Sequence, residues 1–439
     1  MKKIIYSNGA RPGPLASSLG NSARQFAASL SLWPPIAIMA LLVGVLAVSS
    51  CGISPYRPEV GVIDTVASRA LVQNEGSVQV RVSVPTPEET KLIFDAALYD
   101  GGIQPVWIEV TNRGSIDLRY APVGTDPEYF PAHEVAFANQ KPFSKAARKD
   151  MQQYLHGLTM PRTIGAGETQ SGFIFTNARL GTKDVNVDLF GPDKDDGHSL
   201  IFFVSIPGFV ADHAEVSFDE LYKSSEFTNY SLGGLRQALK TLPCCATNQA
   251  GTAMGDWLNF VLVGEGEDVL QALLRAGWDE RPADELESGE FVEVDHLYGR
   301  PADALFRRSR PGDGPRSELR LWMSPMRASG KTVWIANVVH MISERDGPVE
   351  ISPDIDDARN FLLQDLWYAQ SLDQYAWVKG PTSDAAGITR TDLYGNAYET
   401  DGYRIVAWPT GAPRSMLEAK LLPWDGQPKP VRQVIADPK

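Results

Sequence analysis

The chain has 439 residues, 43% hydrophobic and 22% charged, the make-up of a folded globular protein, which argues against both a disordered chain and a multi-span membrane protein. Its 54 acidic against 41 basic side chains give a negative surface potential that repels phosphate backbones, so no nucleic acid is expected as a partner. A chain of this length suggests two domains joined by connecting segments.

The first element reads as a leader. Lys2, Lys3, Arg11 and Arg24 precede an uncharged apolar run from Ile36 to Val48, which is shorter than the roughly 18 residues of a spanning helix. The run ends in Val48-Ser49-Ser50-Cys51-Gly52, which resembles a bacterial lipobox: an aliphatic residue, two small residues, then the cysteine to be acylated. The alternative is one amino-terminal transmembrane helix lengthened by Leu32 and Trp33, but Pro34-Pro35 argues against a continuous helix there. Residues 1–50 are therefore expected to be a signal peptide and Cys51 a palmitate-bearing terminus that anchors a lipoprotein in the cell envelope. Gly52 stands where an inner-membrane retention signal has aspartate, which points to the outer membrane, facing the periplasm.

Residues 51–74, with Pro55 and Pro58 and no period, read as the lipidated cysteine and a tether. Residues 75–210 read as an immunoglobulin-like β-sandwich. Val78, Val80, Val82 and Val84 alternate with polar residues, Val106–Val110 ends at a turn cluster, Phe173–Phe175 follows, and Val185, Val187 and Leu189 alternate again before Leu200–Ile206. A less regular stretch from Gly124 to Pro161 interrupts it, with a short helix expected in its middle.

Residues 211–242 read as a helical connection in which Leu232, Leu235 and Leu239 recur at helical spacing until Pro243 stops them. Residues 243–439 read as an α+β domain with a mainly antiparallel sheet covered on one side by two or three helices. Leu258–Val263 is a buried strand followed by a helix carrying Val269, Leu270, Leu273 and Leu274, with Glu267 and Asp268 at its positive end and Gly277 as its stop. Leu319–Met323 and Val333–Val339 flank a turn, Ser352 is expected to cap a helix through Ile355, Ala358, Leu362, Leu366 and Ala369, and Tyr375–Val378 and Tyr403–Trp408 are later strands.

The stretches Leu258–Gly264, Ala276-Gly277-Trp278, Leu297–Arg300 with Asp303 and Phe306, and Arg320-Leu321-Trp322 with Val333-Trp334, leading on to Asp354–Arg359, resemble the LssY C-terminal domain family over about residues 242–379. That family occurs in bacterial membrane and envelope proteins, often beside phosphatase-like or DedA-type membrane domains, and the resemblance implies no defined reaction. This chain carries a lipobox and a β-rich region in place of those neighbours.

Few motifs carry chemistry. Ser329-Gly330-Lys331-Thr332 imitates the tail of a phosphate-binding loop, but Pro325 stands where its first glycine belongs and a strand follows. Asp193, Asp195 and Asp196 resemble half a calcium loop that no glutamate closes, and the scattered histidines offer no zinc set, so neither metal nor cofactor is expected. Cys244-Cys245 is open to three readings, a vicinal disulfide, two buried small side chains or a crosslink to another chain. Arg300, Arg307, Arg308 and Arg320, with Arg310 and Arg316, either form an anion-binding face or pair with Asp303, Asp313 and Glu318.

The function expected is an anchored binding or accessory module whose partners are the membrane, an envelope protein or an anionic lipid. The alternative is an envelope hydrolase for a phosphate-bearing lipid or glycan, with Arg300, Asp303, His340, Asp356 and Asp357 as its candidate catalytic residues, and it requires them to converge. Labelled palmitate should tag the wild-type protein, and Cys51→Ala should lose the tag and leave the membrane fraction; an intact Met1 terminus by mass spectrometry overturns the leader reading.

Overall fold

The computed structural model describes residues 54–283, 295–310, 314–343, 349–381, 389–393 and 395–426; the leader and Cys51 lie outside them. From Tyr56 to Lys141 and from Lys145 onward the described residues form one compact unit built on two β-rich regions.

In the first region, Leu71–Glu75, Val78–Ser83, Ile103–Asn112 and Thr169–Asn177 follow one another as neighbours in an antiparallel four-stranded sheet. A second sheet has the order Thr163–Ile164, Leu118–Tyr120, Thr182–Phe190 and His198–Ser205. The alternation predicted from sequence decides which side chains go inward: Val78, Val80 and Val82 of the first sheet meet Val185, Val187 and Leu189 of the second in one hydrophobic core. The outer face of the first sheet is also covered, because Phe94 of the helix Pro87–Phe94 packs edge-on against Phe173 and Phe175.

Two expectations for this half need correction. The tether contains the helix Val62–Ser68 and the strand Leu71–Glu75. Only Val66 of that helix is buried, so it shows no hydrophobic period, and the segment is fastened instead by Arg69, whose guanidinium binds the Glu89 carboxylate and the Val84 carbonyl. The irregular stretch holds three helices, Pro122–Thr125, Ala132–Asn139 and Lys145–Gly157, rather than one.

The second region is a ten-stranded sheet. Its main path runs Asp279–Glu280, Ala304–Arg310, Gly314–Ala328, Lys331–Ser343, Phe260–Val263, Tyr403–Pro409, Leu372–Lys379, Lys420–Leu421. It is mainly antiparallel, with Phe260–Val263 parallel to Tyr403–Pro409. The longest pair turns at Ser329 and Gly330, both with positive φ (52° and 86°), as a two-residue hairpin requires. That hairpin accounts for the imitation of a phosphate loop.

The sheet is covered on both faces, not one. Phe260, Leu262, Trp334, Ala336 and Ile405 face the core under the helices Gly266–Arg275 and Ile355–Tyr368, whereas Val261, Val263, Val333, Ile335 and Val406 face the core under Leu232–Thr241. The strands are apolar at consecutive positions because neither face meets water. The connection is helical only in its last part. Before Ser231, which caps the helix through the Gly234 amide, the chain makes short 3-10 turns and lays Phe218, Leu221, Tyr222 and Phe227 on the sheet. Asp354, not Ser352, caps Ile355–Tyr368, its carboxylate accepting from the Asp356 and Asp357 amides. The helix stop at Gly277 has the expected left-handed φ of 84°.

Arg404 is buried and has no carboxylate partner among the described residues. Its guanidinium donates to the carbonyls of Leu239, Leu242, Pro243 and Leu258, tying the end of one helix and the following turn to the centre of the sheet, and burial lowers its pKa to about 10. Arg404→Met should therefore cost about 3 kcal/mol or more in urea unfolding, since it strands buried carbonyls. A loss below about 1 kcal/mol would show that those carbonyls find other donors.

Candidate functional site

The residues of the hydrolase reading stand in three places. Arg300 grips both oxygens of Asp303 at 2.7 and 2.9 Å, donates to Tyr222 and the Met323 carbonyl, and lies over the rings of Tyr222 and Tyr298. His340 places Nδ1 2.8 Å from Ser317 Oγ and Nε2 3.6 Å from the exposed Asp357, with its ring edge-on to Phe361. Asp356 accepts from Thr400 Oγ1 and the Asp401 amide and lies 3.1 Å from Arg359, which itself forks onto Asp401. Burial and the Asp401 carboxylate raise the Asp356 pKa against the pull of Arg359. Arg300, His340 and Asp356 are each held by side-chain partners of their own, Asp303, Ser317 and Thr400, and so serve to fasten strands, turns or a helix.

The arginines are likewise engaged. Arg307 lies 3.6 Å from Glu318 and Arg308 lies 2.6 Å from Asp365, while Arg310 and Arg316 have side chains outside the described residues, as does Asp313. Arg320 is the centre of a buried network: it binds Asp256 at 2.7 Å, Asp295 at 2.9 Å and Glu318 at 2.8 Å with only 11% of its side chain exposed. Gly255 is required beside it, because any Cβ there would collide with the Asp295 carboxylate. Burial raises the Asp256 pKa; Arg320 opposes this, but the Asp295 and Asp392 carboxylates reinforce it. Burial acts on Glu318 in the same sense, yet Arg320 and Arg307 overrule it and hold that group low.

Against this network lies a cavity of about 10 Å³, the size of one water, lined by Asp256, Trp257, Asn337, Asp392 and Tyr398 among others. Among the described residues Trp257 Nε1 and Asn337 Oδ1 are buried and find no partner, and they are the donor and acceptor that a water there would satisfy. Cys244 and Cys245 are joined in a disulfide beside it, with Cys245 packed on Trp257, Ile355 and Tyr398. The site is closed, and among the described residues no three metal-ligating side chains are placed to hold an ion.

An open site lies elsewhere. Phe218, Leu270, Phe306, Leu321, Met323 and Trp334 wall a cavity of about 520 Å³ between the sheet, the first turn of Gly266–Arg275 and the draped segment before Ser231. Phe218 packs edge-on to Trp334, whose indole donates to the Gly264 carbonyl at 3.0 Å, and His213 stacks on Phe306 while its Nε2 meets Glu280 at 2.8 Å. Asp219, Glu265 and Glu267 are exposed and, with the half-buried Arg327, supply its charge. Such walls suit hydrocarbon.

Residues 292–403 match the family described as LssY C-terminus. The match starts later and ends later than the resemblance read from sequence, so Leu258–Gly264 and Ala276-Gly277-Trp278 lie outside it. No curated protein matches the chain. The LssY C-terminus segment supplies Asp295, Glu318, Arg320, Asn337, Asp392 and Tyr398, whereas Asp256 and the strand Phe260–Val263 in mid-sheet come from before it.

Sequence reasoning passed over Asp256 and Asp295, since nothing local marks a carboxylate that will be buried. The available signal was Asp256 within an otherwise uncharged stretch from Gly255 to Gly264. A carboxyl whose folded pKa is raised binds its proton more tightly in the native state, so stability falls as pH rises from the ordinary carboxylate range towards neutrality. Asp256→Asn keeps an oxygen for Arg320 and imitates the protonated acid. The variant should lose less stability than wild type between about pH 5 and pH 8 in urea unfolding; equal losses would remove Asp256 as the source.

Proposed function

We propose that the chain is an envelope-anchored lipoprotein whose folded part is a binding module, and that the apolar cavity receives the hydrocarbon portion of a membrane-derived ligand. The cavity carries this reading: about 520 Å³ walled by aromatic and aliphatic side chains falls within the roughly 300–1,000 Å³ of small-ligand pockets. The lipobox ending at Cys51 supplies the anchor. Asp219, Glu265 and Glu267 outnumber Arg327 at this cavity and disfavour an anionic headgroup, so a zwitterionic or neutral lipid fits better than the anionic one the arginine group suggested. A hydrolase would need Arg300, His340 and Asp356 together, and their separate partners favour the binding role.

Two sheets about one core support an immunoglobulin-like sandwich at 75–210, and the two-faced sheet supports an α+β domain within 243–439.

The test is photo-crosslinking of the full chain to phosphatidylethanolamine bearing a diazirine in its acyl chain. Adducts should map to Phe218, Leu270, Phe306 or Trp334, and Ala304→Phe, which fills the cavity, should reduce them about tenfold, an effect of about 1.4 kcal/mol. Adducts confined to other surfaces, or unchanged by Ala304→Phe in a folded variant, exclude the reading.

A further inference from the structure

A second cavity, of about 730 Å³, lies between the two β-rich regions. Arg179, Lys183, Arg275 and Arg308 line it. Arg179 is held by Asp279 at 3.0 Å and Arg308 by Asp365 at 2.6 Å. The other two have no carboxylate partner among the described residues. Arg275 donates to Ser371 Oγ and to the carbonyls of Thr410 and Gly411. Among the described residues Lys183 spends one of its three ammonium hydrogens, on the Asn177 carbonyl at 2.7 Å.

Lys183 reaches this place by strand parity. It occupies the inward face of Thr182–Phe190, two residues before Val185, and is only 3% exposed. A lysine on the core side of a strand end must carry its charge to a polar exit, and this cleft is that exit. Burial, helped by Arg179, lowers its pKa to about 8, while Asp184, Asp126 and Asp279 oppose the shift.

The acids in the cleft limit what it can take. Asp279 is spent on Arg179, and Asp126 accepts from the Asn177 amide and side chain, which leaves Asp184 and the exposed Glu128. The near-balance of charge disfavours a polyanion. It leaves room for one oxyanion set against two cations that lack an acid.

We propose that this cleft is a binding site for a carboxylate or phosphate oxyanion, held by Lys183 and Arg275. The oxyanion supplies the acceptor that the Lys183 ammonium lacks and holds it charged. Its binding is therefore linked to proton uptake above neutral pH and weakens as pH rises further. The reading stands on a different cavity from the apolar one and survives or fails independently of it.

The test follows Lys183 in the full chain in phosphatidylcholine nanodiscs, with lysine carrying carbon-13 at Cε and the signal assigned by its loss in Lys183→Met. The signal should titrate near pH 8, and inorganic phosphate or acetate should raise the midpoint by about one unit or more, a change Arg275→Gln abolishes while the thermal melt stays cooperative. The same rise on doping the nanodiscs with phosphatidylglycerol, without added phosphate, assigns the oxyanion to a lipid headgroup. A midpoint unmoved by phosphate, acetate and phosphatidylglycerol, or moved equally in Arg275→Gln, overturns the proposal.

Discussion

The constraint on which the larger half of the molecule depends is that its sheet has no wet face. Consecutive residues of Phe260–Val263 feed opposite cores, and so do Val333 to Ala336 and Ile405 to Trp408. A strand buried on both sides cannot slip by one residue without exchanging two complete sets of contacts, and this fixes the register across the sheet. It also forces polar groups buried in or against the sheet to find partners inside the protein, as Arg320, Arg359 and Arg404 do.

The three arginines solve the same problem by different means. Among the described residues Arg359 has a carboxylate fork, Arg404 has carbonyls alone, and Arg320 has three acids. A buried ion cluster is weak evidence for stability, because desolvation offsets much of the attraction. What the Arg320 cluster does provide is connectivity: it joins Asp256, upstream of the LssY C-terminus segment, to Asp295 and Glu318 within it. The central strand Phe260–Val263, between Lys331–Ser343 and Tyr403–Pro409, joins the same two stretches. The matched segment alone therefore lacks both the middle of its sheet and one acid of its buried network.

Much of the fold was legible because hydrophobic period is a local signal. The valine alternation at Val78–Val84, the helix stop at Gly277 and the hairpin near Gly330 each depend on a few neighbouring residues. The rest depends on what comes from elsewhere in the chain. Apolar runs such as Leu258–Val263 suit a strand buried on one face or two, and only the helix Leu232–Thr241 on the far side decides between them. The arginine group was open between a binding face and internal pairing; Asp303 and Glu318 are partners as the second alternative had it, but Asp256, Asp295 and Asp365 are remote in sequence. The apolar cavity was illegible for the same reason: its walls come from the draped segment, the helix and three strands. Lys183 was the exception, since a lysine on the inward parity of Val185, Val187 and Leu189 is visible in the sequence.

The two cavities lie at opposite ends of one helix. Glu265, Gly266, Glu267, Val269 and Leu270 line the apolar cavity, whereas Arg275 and Gly277 line the polar cleft. At about 1.5 Å per residue, the rise from Leu270 to Arg275 separates their linings by about 7.5 Å along the helix axis. Charge is distributed along it in the sense the helix dipole favours, with Glu267 and Asp268 in the first turn and Arg275 in the last. Val269, Ala272 and Leu273 hold the rod on the sheet, and Gly277 turns the chain where a side chain would strike Arg308. A displacement of this helix along its axis would have to alter both cavities together, because the packing that fixes it leaves no loose segment between them.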